Sequence, residues 1–165
     1  MTESPAKATP GAAVTVGVIS DTHGLLRPEA LAALAGSDLI IHAGDIGSPE
    51  IITALERIAP VHAIRGNVDR ADWALRFPET LAVEAGGVWL WVLHDLKTLD
   101  LDPSTAGFAA VISGHSHKPS EERKKGVLYL NPGSAGPRRF RLPVSLARLT
   151  IDNREPRVKM IELEV

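Results

Sequence analysis

The sequence lacks cysteine, long apolar runs and any excess of basic residues. Without cysteine, a disulfide framework, a thiolate zinc site and a cysteine nucleophile are all excluded. No apolar run reaches the ~18 residues that a membrane-spanning helix needs. The formal net charge of −2 argues against a stable complex with nucleic acid or with an anionic membrane, because both require a basic surface.

The N-terminal segment also lacks the basic start and the apolar stretch of a signal peptide. We therefore expect a cytoplasmic protein in which residues 1–12 form a flexible tail and residues 13–165 form a single domain. A chain of this length fits one domain and can bury roughly two thirds of its unfolded surface.

Apolar runs and helix-like stretches alternate in the first half of the chain. Buried strands are predicted at residues 14–19, 38–42 and 61–65, and helices at residues 27–34 and 48–58. This order implies parallel strands joined by right-handed crossovers.

The second half of the chain is rich in strands. A hairpin is predicted around the Gly86-Gly87 turn, and the charged run at residues 121–126 is interpreted as an exposed turn. Later strands are predicted at residues 108–112, 127–130, 144–151 and 158–165. An α/β fold with two packed sheets and helices outside them would satisfy the whole pattern.

Five of the apolar runs are each followed at once by Asp, Asn or His. These residues are Asp21, His23, Asp45, Asn67, His94, His115 and His117. In open α/β sheets the ligand site lies at the carboxyl ends of the strands, so we expect these side chains to converge. Imidazole combined with carboxylate suits Mn, Fe, Zn, Co or Ni. Seven ligands are too many for one ion and suit two ions ~3.5–4 Å apart, with a carboxylate and a water between them.

Each of these motifs alone is ordinary, and only their coincidence at successive strand ends indicates metal. Gly-Asp and Gly-Asn are common turn dipeptides. Two other histidines, His42 and His62, lie inside predicted strands. We interpret them as half-buried histidines with local hydrogen bonds, and not as ligands.

This order of motifs resembles the calcineurin-like metallophosphoesterase superfamily, over residues 16–134. The family's Asp-x-His, Gly-Asp, Gly-Asn-His-Asp, later His and Gly-His-x-His are matched at residues 21–23, 44–45, 66–69, 94 and 114–117. The Leu-Asn-Pro-Gly-Ser stretch at residues 130–134 looks like that of the small bacterial and archaeal phosphodiesterase branch.

The resemblance implies an α/β/β/α sandwich and a ligand assignment. Asp45 would bridge the two ions. The first ion would be held by Asp21, His23 and His117, and the second by Asn67, His94 and His115. Manganese is the expected metal, with Fe, Zn, Ni or Co as alternatives.

Two positions depart from the family pattern. Val68 stands where many members have a histidine that protonates the leaving group or stabilises the transition state, and valine can do neither. Asp95-Leu96 follows His94 where many relatives have Gly-His. Asp95 could alter the surroundings of the metal ligands or be a loop residue, and we favour the loop residue.

These features predict a dinuclear phosphodiesterase acting on a small phosphate ester. The nucleophile would be a metal-bridging water, and Asp69 would orient the ligands without binding an ion. The alternatives are a phosphomonoesterase and a non-catalytic scaffold of the same fold, like the retromer scaffolding subunit. A homo-oligomer formed through Trp73, Trp89 and Trp91 is left open, with core packing as the alternative role of these residues.

Overall fold

A computed structural model describes residues 12–165 of the chain. Residues 1–11 of the expected tail lie outside the described residues. Within them, the chain forms two five-stranded mixed sheets and three short α-helices. None of the helices among residues 12–165 has the length and apolarity needed to cross a membrane.

The first sheet has the strand order β10-β9-β1-β2-β3. Its strands are β1 (Val14–Ile19), β2 (Leu39–His42), β3 (Val61–Ala63), β9 (Ser145–Asp152) and β10 (Glu155–Glu162). The strands β1, β2 and β3 are parallel, as expected, and β9 runs antiparallel to β1 and β10. The parallel strands therefore all end at the same edge of the sheet.

Two helices form the crossovers of this first sheet. They are α1 (Pro28–Leu34) and α2 (Pro49–Glu56), and each begins with proline, whose fixed φ suits the first helical position. Their apolar faces pack with Ile19 and Ile40 of the sheet in one buried cluster. Burying each such side chain contributes about 1.5–3 kcal/mol to stability.

The second sheet has the order β4-β5-β6-β8-β7. Its strands are β4 (Thr80–Ala85), β5 (Val88–Leu93), β6 (Phe108–Ile112), β7 (Ser120–Lys124) and β8 (Val127–Asn131). The predicted hairpin is β4 and β5, and the strands β5, β6 and β8 are parallel. A short helix, α3 (Pro103–Ala106), precedes β6.

The two sheets pack face to face through a shared apolar core. Val16 and Val18 of β1 lie in one buried cluster with Leu90 and Val92 of β5. This alternation of buried residues along each strand has the period of two that a pleated strand dictates. The expected sandwich of two packed mixed sheets is confirmed, and its helices are few and short.

The charged run at residues 121–126 is not an exposed turn, and that prediction was wrong. Most of it lies in β7, an edge strand that pairs antiparallel with β8, and only Lys125 and Gly126 form the turn. All five side chains of β7 are exposed, so no apolar alternation marks the strand in the sequence. Charged side chains are typical of an edge strand, because they discourage pairing with other chains.

The three tryptophans occupy different environments. Trp89 is 46% exposed, whereas Trp91 is half-buried with its ring 5.3 Å from that of Phe108. Trp73 is half-buried in a 3₁₀ helix, Asp72–Arg76, that the sequence did not predict. Core packing therefore accounts for Trp91 and Trp73, and a homo-oligomer stays a prediction.

Candidate metal centre

The loops after β1 and β2 are bonded to each other at the edge where the parallel strands end. The backbone N–H of Asp21 donates to the Gly44 carbonyl at 3.0 Å, and that of His23 donates to the Asp45 carbonyl at 3.0 Å. The loops after β3, β5 and β6 reach the same place, where Asp69 accepts from the Ile46 N–H, His94 contacts the Ala43 carbonyl and the His115 N–H donates to Asp21. This edge therefore gathers the polar residues that follow the strands.

Two carboxylates form the middle of the cluster. Asp21 is fully buried and Asp45 nearly so. Nε2 of His23 lies 3.6 Å from both Oδ1 of Asp21 and Oδ2 of Asp45. Nε2 of His94 lies 3.7 and 3.2 Å from the same two oxygens, and Nε2 of His117 lies 3.4 Å from Oδ1 of Asp21.

One imidazole has its tautomer fixed by the fold. Nδ1 of His94 lies 2.7 Å from the Ala43 carbonyl oxygen, which can only accept, so Nδ1 carries a proton. In the neutral ring Nε2 is then a lone-pair acceptor, and it faces two carboxylates that are also acceptors. Three acceptors at these distances repel one another unless a cation or a proton lies between them.

Several buried polar atoms of the cluster have no hydrogen-bond partner among the described residues. They are Asp21 Oδ1, His23 Nε2, His94 Nε2 and His117 Nδ1. Nitrogen and oxygen ligands bind a zinc-like ion at about 2.0–2.2 Å, so two ligands of one ion are about 3.0–3.5 Å apart. The separations around Asp21 and Asp45 lie near this range. The residues present therefore fit divalent metal ions, in the groups Asp21, His23, His117 and Asp21, Asp45, His94.

The cluster also changes the acidity of its members. Burial alone would raise the pKa of Asp21, but the imidazoles of His117 and His23 hold that pKa well below its ordinary value. Burial is likewise outweighed at Asp45, where His94 and the Val68 N–H lower the pKa. Burial would lower the pKa of His94, but the carboxylates of Asp45 and Asp21 raise it. The site thus favours anionic carboxylates with positive charge beside them.

Backbone strain is concentrated in the same residues. Five of the expected ligands have the left-handed φ that non-glycine residues avoid. They are Asp21 (φ +56°), His23 (+46°), Asp45 (+56°), His115 (+72°) and His117 (+64°). Each such conformation costs of order 1–3 kcal/mol and persists only where the surrounding structure imposes it.

Two glycines allow the loops to approach the carboxylates. A Cβ atom at Gly66 would overlap the Asp45 carboxylate and backbone, and one at Gly114 would overlap Ser20 and the Asp21 carboxylate. No side chain therefore fits at either position without displacing a carboxylate.

The remaining expected ligands lie at the open side of the cluster. The His115 ring is 5.1 Å from the His94 ring, edge to face, and its backbone N–H donates to Asp21 Oδ2 at 3.0 Å. Asn67 is exposed and lines one cleft together with His94 and His115. The structure thus brings five of the seven residues into ion-pair distances and places these two at the cleft beside them.

Asp69 lies behind the cluster and is nearly completely buried. Its carboxylate accepts hydrogen bonds from the N–H groups of Ile46 (3.0 Å), Gly47 (3.0 Å) and Gly66 (2.8 Å). These bonds join the loops after β2 and β3. Asp69 therefore has the contacts of a residue that positions Asp45 without facing the cluster.

The interpretation of three residues from the sequence was incomplete or wrong. His42 is completely buried and His62 is exposed, so neither is half-buried. Asp95 is more than a loop residue: Oδ1 accepts from the Lys97 N–H at 3.1 Å, and Oδ2 lies 3.8 Å from Nε2 of His115. No local pattern in the sequence indicates either arrangement, because each depends on a distant loop.

Fold and site together define a metal-binding sandwich of two mixed sheets. Residues 14–154 match the family model of the calcineurin-like phosphoesterase superfamily domain. A "probable metallophosphoesterase" of Methanothermobacter thermautotrophicus is 37% identical, over 72% of this chain and 76% of the relative. Another, of Methanocaldococcus jannaschii, is 33% identical, over 93% of this chain and 84% of the relative. The chain belongs to the calcineurin-like phosphoesterase superfamily, which confirms the resemblance inferred from the motifs.

Solved structures show the same fold. A protein of Streptococcus pneumoniae described as a predicted phosphoesterase has a TM-score of 0.75 at 27% identity, covering 93% of both chains. An archaeal phosphodiesterase has a TM-score of 0.74 at 24% identity, covering 91% of this chain and 100% of its own. Vacuolar Protein Sorting 29 of Cryptosporidium parvum has a TM-score of 0.73 at 21% identity, covering 93% of this chain and 99% of its own. At these identities the last two share the fold alone.

Proposed function

We propose that this protein is a metal-dependent phosphodiesterase whose activity requires two divalent ions, with manganese as the expected metal and Fe, Zn, Ni or Co as alternatives. The observation that carries the proposal is the buried pair Asp21 and Asp45, whose facing oxygens are surrounded by the Nε2 atoms of His23, His94 and His117. Acceptors at these distances repel one another unless cations or protons lie between them, and imidazole combined with carboxylate suits divalent transition metals.

The proposed ligand set follows the family pattern. Asp45 would be shared by both ions. One ion would be held by Asp21, His23 and His117, and the other by Asn67, His94 and His115. When bound, such a pair of ions supplies Lewis-acid stabilisation to phosphate oxygens and lowers the pKa of a bound water.

The charge of the cleft favours a diester over a monoester. Beside His94 and His115 the cleft is lined by the carboxylates of Glu79, Asp95 and Asp100, and by a single guanidinium, that of Arg65. Arg65 is itself paired with Glu79 at 3.3 Å. A monoester carries about two negative charges at neutral pH and a diester one. The excess of carboxylates therefore repels a monoester more strongly.

The leaving group receives no proton from the position next to Asn67. Val68 occupies it, is 49% exposed, and contributes only its backbone N–H, which donates to Asp45 Oδ1 at 3.0 Å. A valine side chain cannot act as a general acid. The proposed enzyme therefore prefers esters whose leaving groups are stable without protonation.

The experiment that tests the proposal is hydrolysis of bis(p-nitrophenyl) phosphate by purified protein with added Mn²⁺, alongside p-nitrophenyl phosphate. We expect the diester to be hydrolysed faster, activity to be lost with EDTA, and Asp45→Asn to lower the rate at least about 100-fold. Asp152→Asn, at the exposed end of β9, is the matched control and keeps wild-type activity. Hydrolysis that persists in EDTA, or full activity of Asp45→Asn, would contradict the proposal.

A second candidate is a non-catalytic scaffold of the same fold. The exposed valine at position 68, in place of a proton donor, is the observation that favours it. A scaffold would bind ions and show no hydrolysis of either ester, so the same assay separates the two candidates. The phosphomonoesterase alternative predicts that p-nitrophenyl phosphate is hydrolysed faster than bis(p-nitrophenyl) phosphate. The cytoplasmic location and the single domain expected from the sequence stay predictions.

A further inference from the structure

The buried imidazole of His42 connects the loops that follow β1 and β2. His42 is the last residue of β2 and is completely buried. Its Nδ1 accepts a hydrogen bond from the Gly44 N–H at 3.1 Å. Its Nε2 lies 3.0 Å from Oγ1 of Thr22, and that hydroxyl donates to the Ile46 carbonyl at 2.7 Å.

These contacts assign every proton in the chain of hydrogen bonds. Because Nδ1 accepts from the Gly44 N–H, the proton of the neutral His42 ring is on Nε2. Nε2–H therefore donates to Thr22 Oγ1, which leaves the hydroxyl hydrogen free to donate to Ile46. Each donor has one acceptor, so removal of either side chain leaves a buried polar group unpaired.

The chain of hydrogen bonds holds the residues next to the proposed ligands. Thr22 lies between Asp21 and His23 in the sequence. Gly44 and Ile46, which the same chain of hydrogen bonds joins, lie on either side of Asp45. All three of these ligands have left-handed φ values, between +46° and +56°. Such strained residues keep their conformation only where surrounding contacts impose it. The imidazole of His42 supplies such contacts from behind the site.

The protonation state of His42 suits this role. Burial lowers its pKa to about 4, although the carboxylates of Asp21 and Asp69 act in the opposite direction. The ring is therefore neutral near pH 7. An imidazolium would carry hydrogen on both nitrogens and could not accept the bond from Gly44.

We propose that His42, acting through Thr22, is a positioning residue that sets the separation of Asp21 and His23 from Asp45 and so determines the affinity for the ions. This role in metal binding rests on the function proposed above. Mutation of residues that support the metal ligands without binding the metal typically weakens metal binding by about 10–100-fold. We expect this loss of metal affinity even though neither His42 nor Thr22 is among the proposed ligands.

The experiment compares the Mn²⁺ affinity of the full-length protein with that of four single variants and one double variant by isothermal titration calorimetry. Thr22→Val and His42→Leu remove the polar groups and keep similar volume, whereas Thr22→Ser keeps the hydroxyl. Ile40→Val, at a buried position of β2, is a control that lowers the melting temperature without touching the hydrogen bonds.

We expect Thr22→Val and His42→Leu each to weaken Mn²⁺ binding about 10–100-fold, and the double variant to be no weaker than the worse of the two. Thr22→Ser and Ile40→Val should stay within about threefold of wild type. Wild-type affinity in Thr22→Val, or an equal loss in Ile40→Val, would overturn the proposal.

A second measurement needs no metal and no activity. In the metal-free protein, amide exchange at Asp21, His23 and Gly24, whose N–H groups are bonded across the two loops, should be at least about tenfold faster in Thr22→Val, with exchange at Leu149 in β9 unchanged. Unchanged exchange would overturn the positioning role. If wild type binds neither Mn²⁺ nor any of the alternative ions, the proposed function fails, while the exchange result still decides the role of His42 and Thr22.

Discussion

Nε2 of His94 lies 3.2 Å from Oδ2 of Asp45, and in the neutral ring this nitrogen carries no hydrogen because Nδ1–H donates to the Ala43 carbonyl. Two acceptors this close require a cation between them or a proton on the imidazole. The neighbouring carboxylates raise the pKa of His94 against the opposing effect of burial, so they favour positive charge at this point. Replacing the Asp45 carboxylate therefore tests whether a cation lies at this contact.

Asp45→Asn should abolish stabilisation of the fold by Mn²⁺. At an ion concentration about 100 times the Kd, binding contributes about 2.7 kcal/mol of stability, which raises the melting temperature of a domain of this size by about 5–10 °C. We expect this shift in wild type and in Asp152→Asn, and no shift in Asp45→Asn, because the amide offers a weaker, uncharged ligand. Differential scanning calorimetry with and without Mn²⁺ measures it. An undiminished shift in Asp45→Asn would refute the shared-ligand role.

Much of the fold follows from the apolar pattern of the sequence. The strands Val14–Ile19 and Phe108–Ile112 lie where they were predicted, because a short β-branched or apolar run between polar residues has few other structures. The strand Ser120–Lys124 could not be predicted, since only its backbone pairing with β8 defines it. The strand Glu155–Glu162 begins three residues earlier than predicted, after the tight Asn153-Arg154 turn in which both residues have positive φ.

The convergence of the polar residues could also be predicted, because parallel strands deliver their carboxyl ends to one edge. The details of the site could not. Left-handed φ values at His115 and His117 are unusual for non-glycine residues, and nothing in the local sequence indicates them. The contacts of His42 with Thr22 and of Asp95 with His115 join residues about 20 apart in the chain, so only the folded structure reveals them.

Asp69→Asn should destabilise the metal-free protein. The Asp69 carboxylate accepts hydrogen bonds from three backbone N–H groups. An asparagine has only one acceptor oxygen, and its NH₂ group would face backbone N–H groups that are themselves donors. Hydrogen bonds to charged groups contribute about 1.5–3 kcal/mol each, so we expect the free energy of unfolding to fall by about 2–4 kcal/mol. Urea denaturation in EDTA measures it, with the exposed Asp72→Asn as control. A loss below about 1 kcal/mol would mean that Asp69 does not hold the loops together.

Asp95→Asn should relax the proposed preference for diesters. Its carboxylate lies in the cleft beside His115, where it would repel the second negative charge of a monoester. An interaction of ~1 kcal/mol at a partly exposed site corresponds to about a fivefold change. We expect the ratio of kcat/KM for p-nitrophenyl phosphate to that for bis(p-nitrophenyl) phosphate to rise about fivefold, and to stay constant in Asp152→Asn. An unchanged ratio would exclude Asp95 as a source of substrate selectivity.

The stability that His42 contributes should disappear in acid. Its pKa in the folded protein is lowered to about 4, mainly by burial, whereas an unfolded histidine titrates near 6.5. Between these values the unfolded state binds more protons, so the contribution is fully present above pH 6.5 and is lost as the pH falls to 4, by about 3 kcal/mol. Urea denaturation of metal-free wild type and His42→Leu should therefore show a stability difference that shrinks by this amount between pH 7 and pH 4. A constant difference would show that His42 titrates normally in the folded protein.

Val68→His should restore a proton donor for the leaving group. The side chain at this position is half exposed beside Asn67, so an imidazole fits without repacking the core. In wild type we expect the rate with Mn²⁺ to fall steeply across aryl phosphodiesters as the leaving group changes from nitrophenol to unsubstituted phenol, because no side chain protonates it. The variant should flatten this dependence, with at least a tenfold gain on the phenyl ester and little change on the nitrophenyl ester, since general acids commonly contribute about 10²–10⁴-fold.

Val68→Thr, which is similar in size but cannot act as an acid near neutral pH, should keep the steep dependence. A flat dependence in wild type would show that the leaving group already receives a proton from elsewhere in the site.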